Sequence, residues 1–261
     1  MLLEICVEDA AGLQAALAGG ADRIELCAAL GVGGLSASPA MMQLAASLPI
    51  PVRALCRPRA GDFDYDDNDL ALVEADAIAA IRYGLDGIVI GAGTRTALDA
   101  TGLERIVRRA KAVAAEHGRD LGLTLHRAFD TIADMPAALD TAIALGFDTV
   151  LTSGGERRAQ DGAAMLAALV ARAGDRITIL AGSGVDVAAV PVLAAAGIRA
   201  FHASCRRRAP EPSHPDLHRL GFVEEKPLRT DAQSVRQLRQ ALADHGKITP
   251  SPSERLNNTN I

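Results

Sequence analysis

Short β-branched or apolar runs alternate with longer alanine-rich runs along most of this chain, and no other feature restricts its fold as strongly. The strand candidates are Leu2–Val7, Arg23–Cys27, Val52–Arg57, Gly87–Ile90, Gly122–His126, Thr149–Thr152, Ile177–Leu180 and Ala200–Ser204. Between them, Ala10–Ala18, Pro39–Ser47, Leu70–Arg82, Leu103–His117, Met135–Ala144, Gly162–Arg172 and Val187–Ala195 place apolar residues at helical spacing. Asp9, Ser38, Asp134 and Asp186 stand where helix N-caps are needed, and Pro39 and Pro136 suit a first turn. Glycines such as Gly20, Gly84, Gly146 and Gly197 fall where helices must stop.

Strands alternating with helices at roughly 25-residue spacing predict a parallel sheet. Eight such units predict a closed (β/α)₈ TIM-type barrel, a single domain over residues 1–246. The rival is an open doubly wound sheet, but the first strand lacks the G-x-G-x-x-G turn of its nucleotide-binding members. The length of 261 residues suits one barrel. Aromatic residues make up only 3% and Trp is absent, so aliphatic side chains must fill the interior. Beyond Ser204 the pattern breaks. Residues 206–227 read as a proline-containing loop, and Asp231–Asp244 as a last helix with Val235, Leu238 and Leu242 on one side. The polar stretch 247–261 reads as a disordered tail.

The bulk properties argue against several partners. Net charge is −5, and the only basic run, Arg206–Arg208, is short, which speaks against nucleic acid. No apolar run reaches the roughly 18 residues that cross a bilayer. The N-terminus carries acids where a secretory signal carries bases. Four cysteines without C-x-x-C spacing, in a chain with a large apolar core, point to a reducing, cytoplasmic compartment.

In a barrel the C-terminal strand ends form the working face. Polar residues recur there: Glu4 and Cys6 on the first strand, Glu25 and Cys27 on the second, Arg57 and Arg59 after the third. His126, Arg127 and Asp130 follow the fifth, Ser153 and Gly154 the sixth, Gly182 and Gly184 the seventh, with His202 and Ser204 on the eighth. Strand residues two apart share a face, so Glu4 goes with Cys6 and Glu25 with Cys27. If that face is the lumen, the carboxylates need cations, and Arg57, Arg59 and Arg127 are the candidates. A purely structural ion-pair network is the plain alternative.

Two chemistries fit. Adjacent inward thiols at Cys6 and Cys27 would suit a soft cation such as Cu(I), although buried cysteines often act only as small apolar residues. Cys56 and Cys205 face away by alternation. The second chemistry is catalysis on a small anionic or phosphorylated metabolite. Glu4, Glu25, His126 or Asp130 would then move protons, while Arg57, Arg59, Arg127, His202 and Ser204 bind the anion. Ser153, Gly154 and the Gly182–Gly184 turn would supply a phosphate cradle, unless that turn is simply a tight one that needs glycine. Two thiols do not require three arginines and a histidine around them.

The ordered segments Glu4-Ile5-Cys6-Val7, Gly19-Gly20-Ala21-Asp22-Arg23-Ile24-Glu25-Leu26-Cys27, Arg57-Pro58-Arg59, His126-Arg127-Ala128-Phe129-Asp130, Leu151-Thr152-Ser153-Gly154-Gly155 and Phe201-His202 resemble the CutC family, named for copper homeostasis. The similarity runs from about residue 2 to residue 204. It implies a cytoplasmic, self-associating TIM-type barrel that binds copper, with Cys6 and Cys27 at the positions proposed for copper in relatives. Departures lie in loops. Ala60-Gly61-Asp62-Phe63 stands for Gly-Gly-Asp-Phe, Gly182-Ser183-Gly184 for Gly-Gly-Gly, and Ser36-Ala37-Ser38 for Thr-Pro-Ser. No ionisable rim group is lost.

Overall fold

The computed structural model describes residues 1–210, 214, 216–223 and 225–248. Its eight parallel strands are β1 (Leu2–Val7), β2 (Arg23–Leu26), β3 (Val52–Leu55), β4 (Gly87–Ile90), β5 (Gly122–Leu125), β6 (Thr149–Thr152), β7 (Thr178–Ala181) and β8 (Ala200–Ala203). They pair in chain order, and β8 returns to β1 with Glu4 opposite His202. The sheet is therefore a closed (β/α)₈ barrel rather than the open alternative. Several strands stop one or two residues sooner than the alternation predicts, so Cys27, Arg57, His126 and Ser204 stand just past their ends. Strand seven starts one residue later than expected.

Around the barrel run α1 (Ala10–Gly19), α2 (Pro39–Ala45), α3 (Asp67–Tyr83), α4 (Ala100–Glu116), α5 (Met135–Ala144), α6 (Ala163–Ala173) and α7 (Val190–Ala195). Asp9, Ser38 and Asp134 accept the backbone N–H groups of Gly12, Met41 and Ala137, as caps should. Asp66 accepts from Asn68 and Asp69, which starts α3 before the first apolar repeat at Leu70. The helix expected over Val187–Ala195 is split. Asp186 caps a single 3₁₀ turn, Val187–Ala189, and Pro191 in the first turn of α7 has no N–H with which to continue the earlier ladder.

Segment 206–227 is not simply a loop. Arg206–Arg208 (β9) pairs antiparallel with Leu228–Thr230 (β10), and Asp216–Arg219 (α8) forms one short turn between them. The alternation gave no sign of this pair, because three consecutive arginines carry no apolar period. The last helix, α9 (Ala232–Ile248), buries Val235, Leu238 and Leu242 against α1 and α7. A Cβ on Gly19 would overlap the Val235 side chain, so glycine sets the close approach of α1 to α9. The expected tail lies outside the described residues from 249 onward. No helix among the described residues is long and apolar enough to cross a membrane.

Two interiors result from the period of two. Side chains such as Ile5, Ile24 and Phe201 fill the layer between sheet and helices. The lumen holds separate small groups: Cys6, Cys27, Leu55 and Val89 in one, Leu151, Leu180 and Ala200 in another. At its N-terminal end, Arg53 donates to Thr124 Oγ1 (2.6 Å) and to Asp148 (2.7 Å). Gly87 and Gly122 leave room for that guanidinium, since a Cβ at either would meet the Arg53 side chain.

Candidate functional site

Alternation turns Glu4 and Cys6 on β1, Arg23 and Glu25 on β2, and His202 on β8 into one section of the lumen. Glu4 is the hub. It pairs with the Arg23 guanidinium, and its Oε1 accepts from His202 Nδ1 at 2.8 Å. The other ring nitrogen, Nε2, lies 3.8 Å from Glu25 Oε2. Cys27 Sγ donates to the same Glu25 oxygen at 3.2 Å. Ligand atoms of Cys6, Glu25 and His202 all fall within 4.8 Å of one another, and all three residues are buried.

The two carboxyls titrate in opposite directions. Burial alone would raise Glu4, but the His202 hydrogen bond and the Arg23 charge overcome it and hold the group down at about 2. Glu25 is raised, chiefly by burial and despite His202. Burial also pushes the Cys27 thiol well up, helped by the neighbouring Glu25 charge. For His202, burial opposes protonation, but Cys6 and Glu25 win and raise it well above its ordinary range.

The cations of this cluster are thus Arg23 and His202, not the three arginines expected. Arg59 pairs with Asp62 and Asp69 on the loop after β3. Arg127 pairs with Asp130. Arg57 donates to the carbonyls of Val32, Gly34 and Gly61. Arg23 was nonetheless legible, since it shares the parity of Glu25 and Cys27.

A cavity of about 620 Å³ opens above the cluster at the C-terminal rim. Cys6, Glu25 and His202 face it from the lumen, and Arg57, His126, Arg127, Asp130, Gly184 and Ser204 line it higher up. Glu4 and Cys27 stand behind that first layer. Arg59, Ser153, Gly154 and Gly182 do not line it. The donors of the last three are used inside the fold: Ser153 Oγ reaches Asp130 and the Glu156 carbonyl, Gly154 N–H reaches Thr152 Oγ1, and Gly182 N–H reaches the Thr152 carbonyl. The expected cradle after β7 also differs, because Asp186 already caps the turn that follows. Arg157 and Arg206 line the cavity without having been singled out. Nothing in the sequence context of either arginine marks it as rim-facing.

His126 occupies the wall opposite the thiols. Its Nδ1 accepts the Ala128 N–H at 3.0 Å, and its ring packs on Phe63 with centroids 5.0 Å apart. Gly91 provides its space, since a Cβ there would lie 2.6 Å from the ring. Burial, and next the Arg57 charge, depress its pKa to about 3, so it is neutral.

Comparison with known proteins agrees with this architecture. The CutC family model matches residues 1–207. A family protein CutC from Sinorhizobium medicae is 44% identical over 244 residues, covering 93% of this chain and 96% of its own. One from Caulobacter vibrioides is 45% identical over 245 residues, covering 93% and 97%. The crystal structure of CutC from Streptococcus agalactiae, which carries a copper homeostasis name, superposes with a TM-score of 0.71 at 28% identity, covering 78% of this chain and 98% of that one.

Proposed function

The chain belongs to the CutC family, and on that premise we propose that it is a copper homeostasis protein that takes Cu(I) as cargo in its lumen. The observation that carries this reading is the Cys6–Glu25–His202 group, whose ligand atoms lie within 4.8 Å of one another. Cys6 supplies a thiolate and His202 Nε2 an imidazole. Glu4 fixes that imidazole from behind, as outer-shell carboxylates do for metal-bound histidines. Cys27, hydrogen-bonded to Glu25, brings the second thiolate that a soft monovalent ion prefers, and Glu25 is the nearest acceptor for its proton. Glu25 itself is a poor match for Cu(I), so the donor set relies on both cysteines. The four free thiols suit a reducing cytoplasm, and self-association follows the family resemblance.

Anaerobic Cu(I) titration against a competing chelator tests this. Cys6→Ser and Cys27→Ser should each weaken binding by more than the roughly 10–100-fold typical of losing an outer-shell partner. Wild-type affinity in both variants removes the site.

The cavity favours a second reading. Arg57, Arg127, Arg157 and Arg206 around a 620 Å³ space exceed what a metal ion requires, and they suit a small anionic metabolite on which the barrel acts as an enzyme.

A further inference from the structure

Arg57 is only 6% exposed, yet among the described residues no carboxylate comes within ion-pair distance of it. Three carbonyls solvate the guanidinium, and its buried Nε has no hydrogen-bond partner among the described residues. A buried charge without a counter-ion is costly unless something else brings one. Arg127 and Arg206, in the same cavity, already face Asp130 and Glu8.

His126 is 4% exposed and presents a matching deficit. A backbone N–H can only donate, so Nδ1, which receives the one from Ala128, carries the lone pair. The proton of the neutral ring is then on Nε2, and that buried atom also has no partner among the described residues. His126 is therefore neither a free base nor a metal ligand: its only lone pair is already occupied. Both side chains are locked on Phe63, Arg57 with its guanidinium 5.0 Å from the ring centroid. Both line the same cavity.

We infer that Arg57 and His126 form a built subsite for a small carboxylate, one oxygen taking the Nε2–H of His126 and the other facing the Arg57 guanidinium. Arg157 also lines the cavity but is exposed to solvent. Within the buried subsite, one cation that no carboxylate among the described residues pairs with and one neutral donor match a planar monoanion, whereas a phosphate dianion would need more of both. A neutral imidazole donor of this kind polarises a carboxylate or carbonyl oxygen without surrendering its proton. The inference deepens the second reading above, that the cavity accepts a small anion.

Calorimetric titration with acetate, pyruvate and inorganic phosphate as probes tests it, alongside nitrogen NMR of His126. The carboxylates should bind in preference to phosphate. His126→Phe should weaken them about tenfold or more, and His126→Gln, which restores an N–H, should recover part of that loss. The imidazole of the unmodified chain should stay in the Nε2–H form from pH 8 down to pH 5, with that nitrogen signal moving when acetate is added. This spectrum needs no variant to fold and no metal. An imidazolium at pH 6, an Nδ1–H tautomer, or carboxylate binding undiminished in His126→Phe overturns the subsite while leaving an anion-binding cavity standing. Phosphate outcompeting both carboxylates overturns the ligand class. Binding of none of the probes overturns the subsite and the second reading together.

Discussion

Glu4 and Glu25 lie on adjacent strands of one lumen, and their neighbours decide which of them keeps its proton. Glu4 has Arg23 and His202 in contact; Glu25 has a thiol and a more distant imidazole. The lowered Glu4 pKa contributes stability above the ordinary 4.5 that is lost as pH falls toward about 2. His126 acts in a higher window. Its folded pKa of about 3 lies below the ordinary 6.5, so the unfolded chain takes up a proton first as pH falls. Its contribution is complete above pH 6.5 and disappears between there and about 3, at about 1.4 kcal/mol per pH unit. Denaturant unfolding between pH 6.5 and 4.5 should show this acid slope, reduced in His126→Phe; equal slopes in the two proteins would contradict a buried neutral ring. At this scale the sequence revealed which residues face inward, because parity alone decides that. It did not reveal partners. The two terminal nitrogens of Arg57 donate to carbonyls of two different loops, and nothing local to Arg57-Pro58-Arg59 encodes where those loops arrive.

Helices were readable where a cap and an apolar period coincide. Asp134 with Met135–Ala144 shows this, with bounds matching those expected. Legibility failed where the two conflict, as at Pro191, whose apolar neighbours continue a period that its missing N–H interrupts. It failed again at β9 and β10, whose pairing depends on residues some twenty positions apart meeting across a turn. Helix α9 carries the sharpest consequence at this scale. Leu238 is 1% exposed in the contact that α9 makes with α1 and α7. Leu238→Ala should cost about 2–5 kcal/mol, read as a lower denaturant midpoint with the slope unchanged. A cost below about 1 kcal/mol would mean that α9 docks only loosely.

Across the whole molecule the two ends of the cylinder divide their labour. The C-terminal end holds Cys6, Cys27, His126, His202 and the cavity. The N-terminal end is closed by Arg53 on Thr124 and Asp148, the arrangement expected where a barrel face serves stability. Arg53→Leu should therefore lower Tm, by about 2–4 °C for each kcal/mol lost, while leaving Cu(I) affinity at its wild-type value. Scanning calorimetry beside the chelator titration checks both, and a parallel loss of metal affinity would show that the ends are coupled.

The His202–Glu4 hydrogen bond joins groups 198 residues apart in sequence. Cys6 and Cys27 leave the ribosome early, while the imidazole that completes their surroundings is among the last parts of the barrel to be made. A half-made chain thus owns sulfur but no pocket. Under the proposed function, capture of Cu(I) has to wait for ring closure, and a truncated product would expose its cysteines to oxidation without gaining a binding pocket.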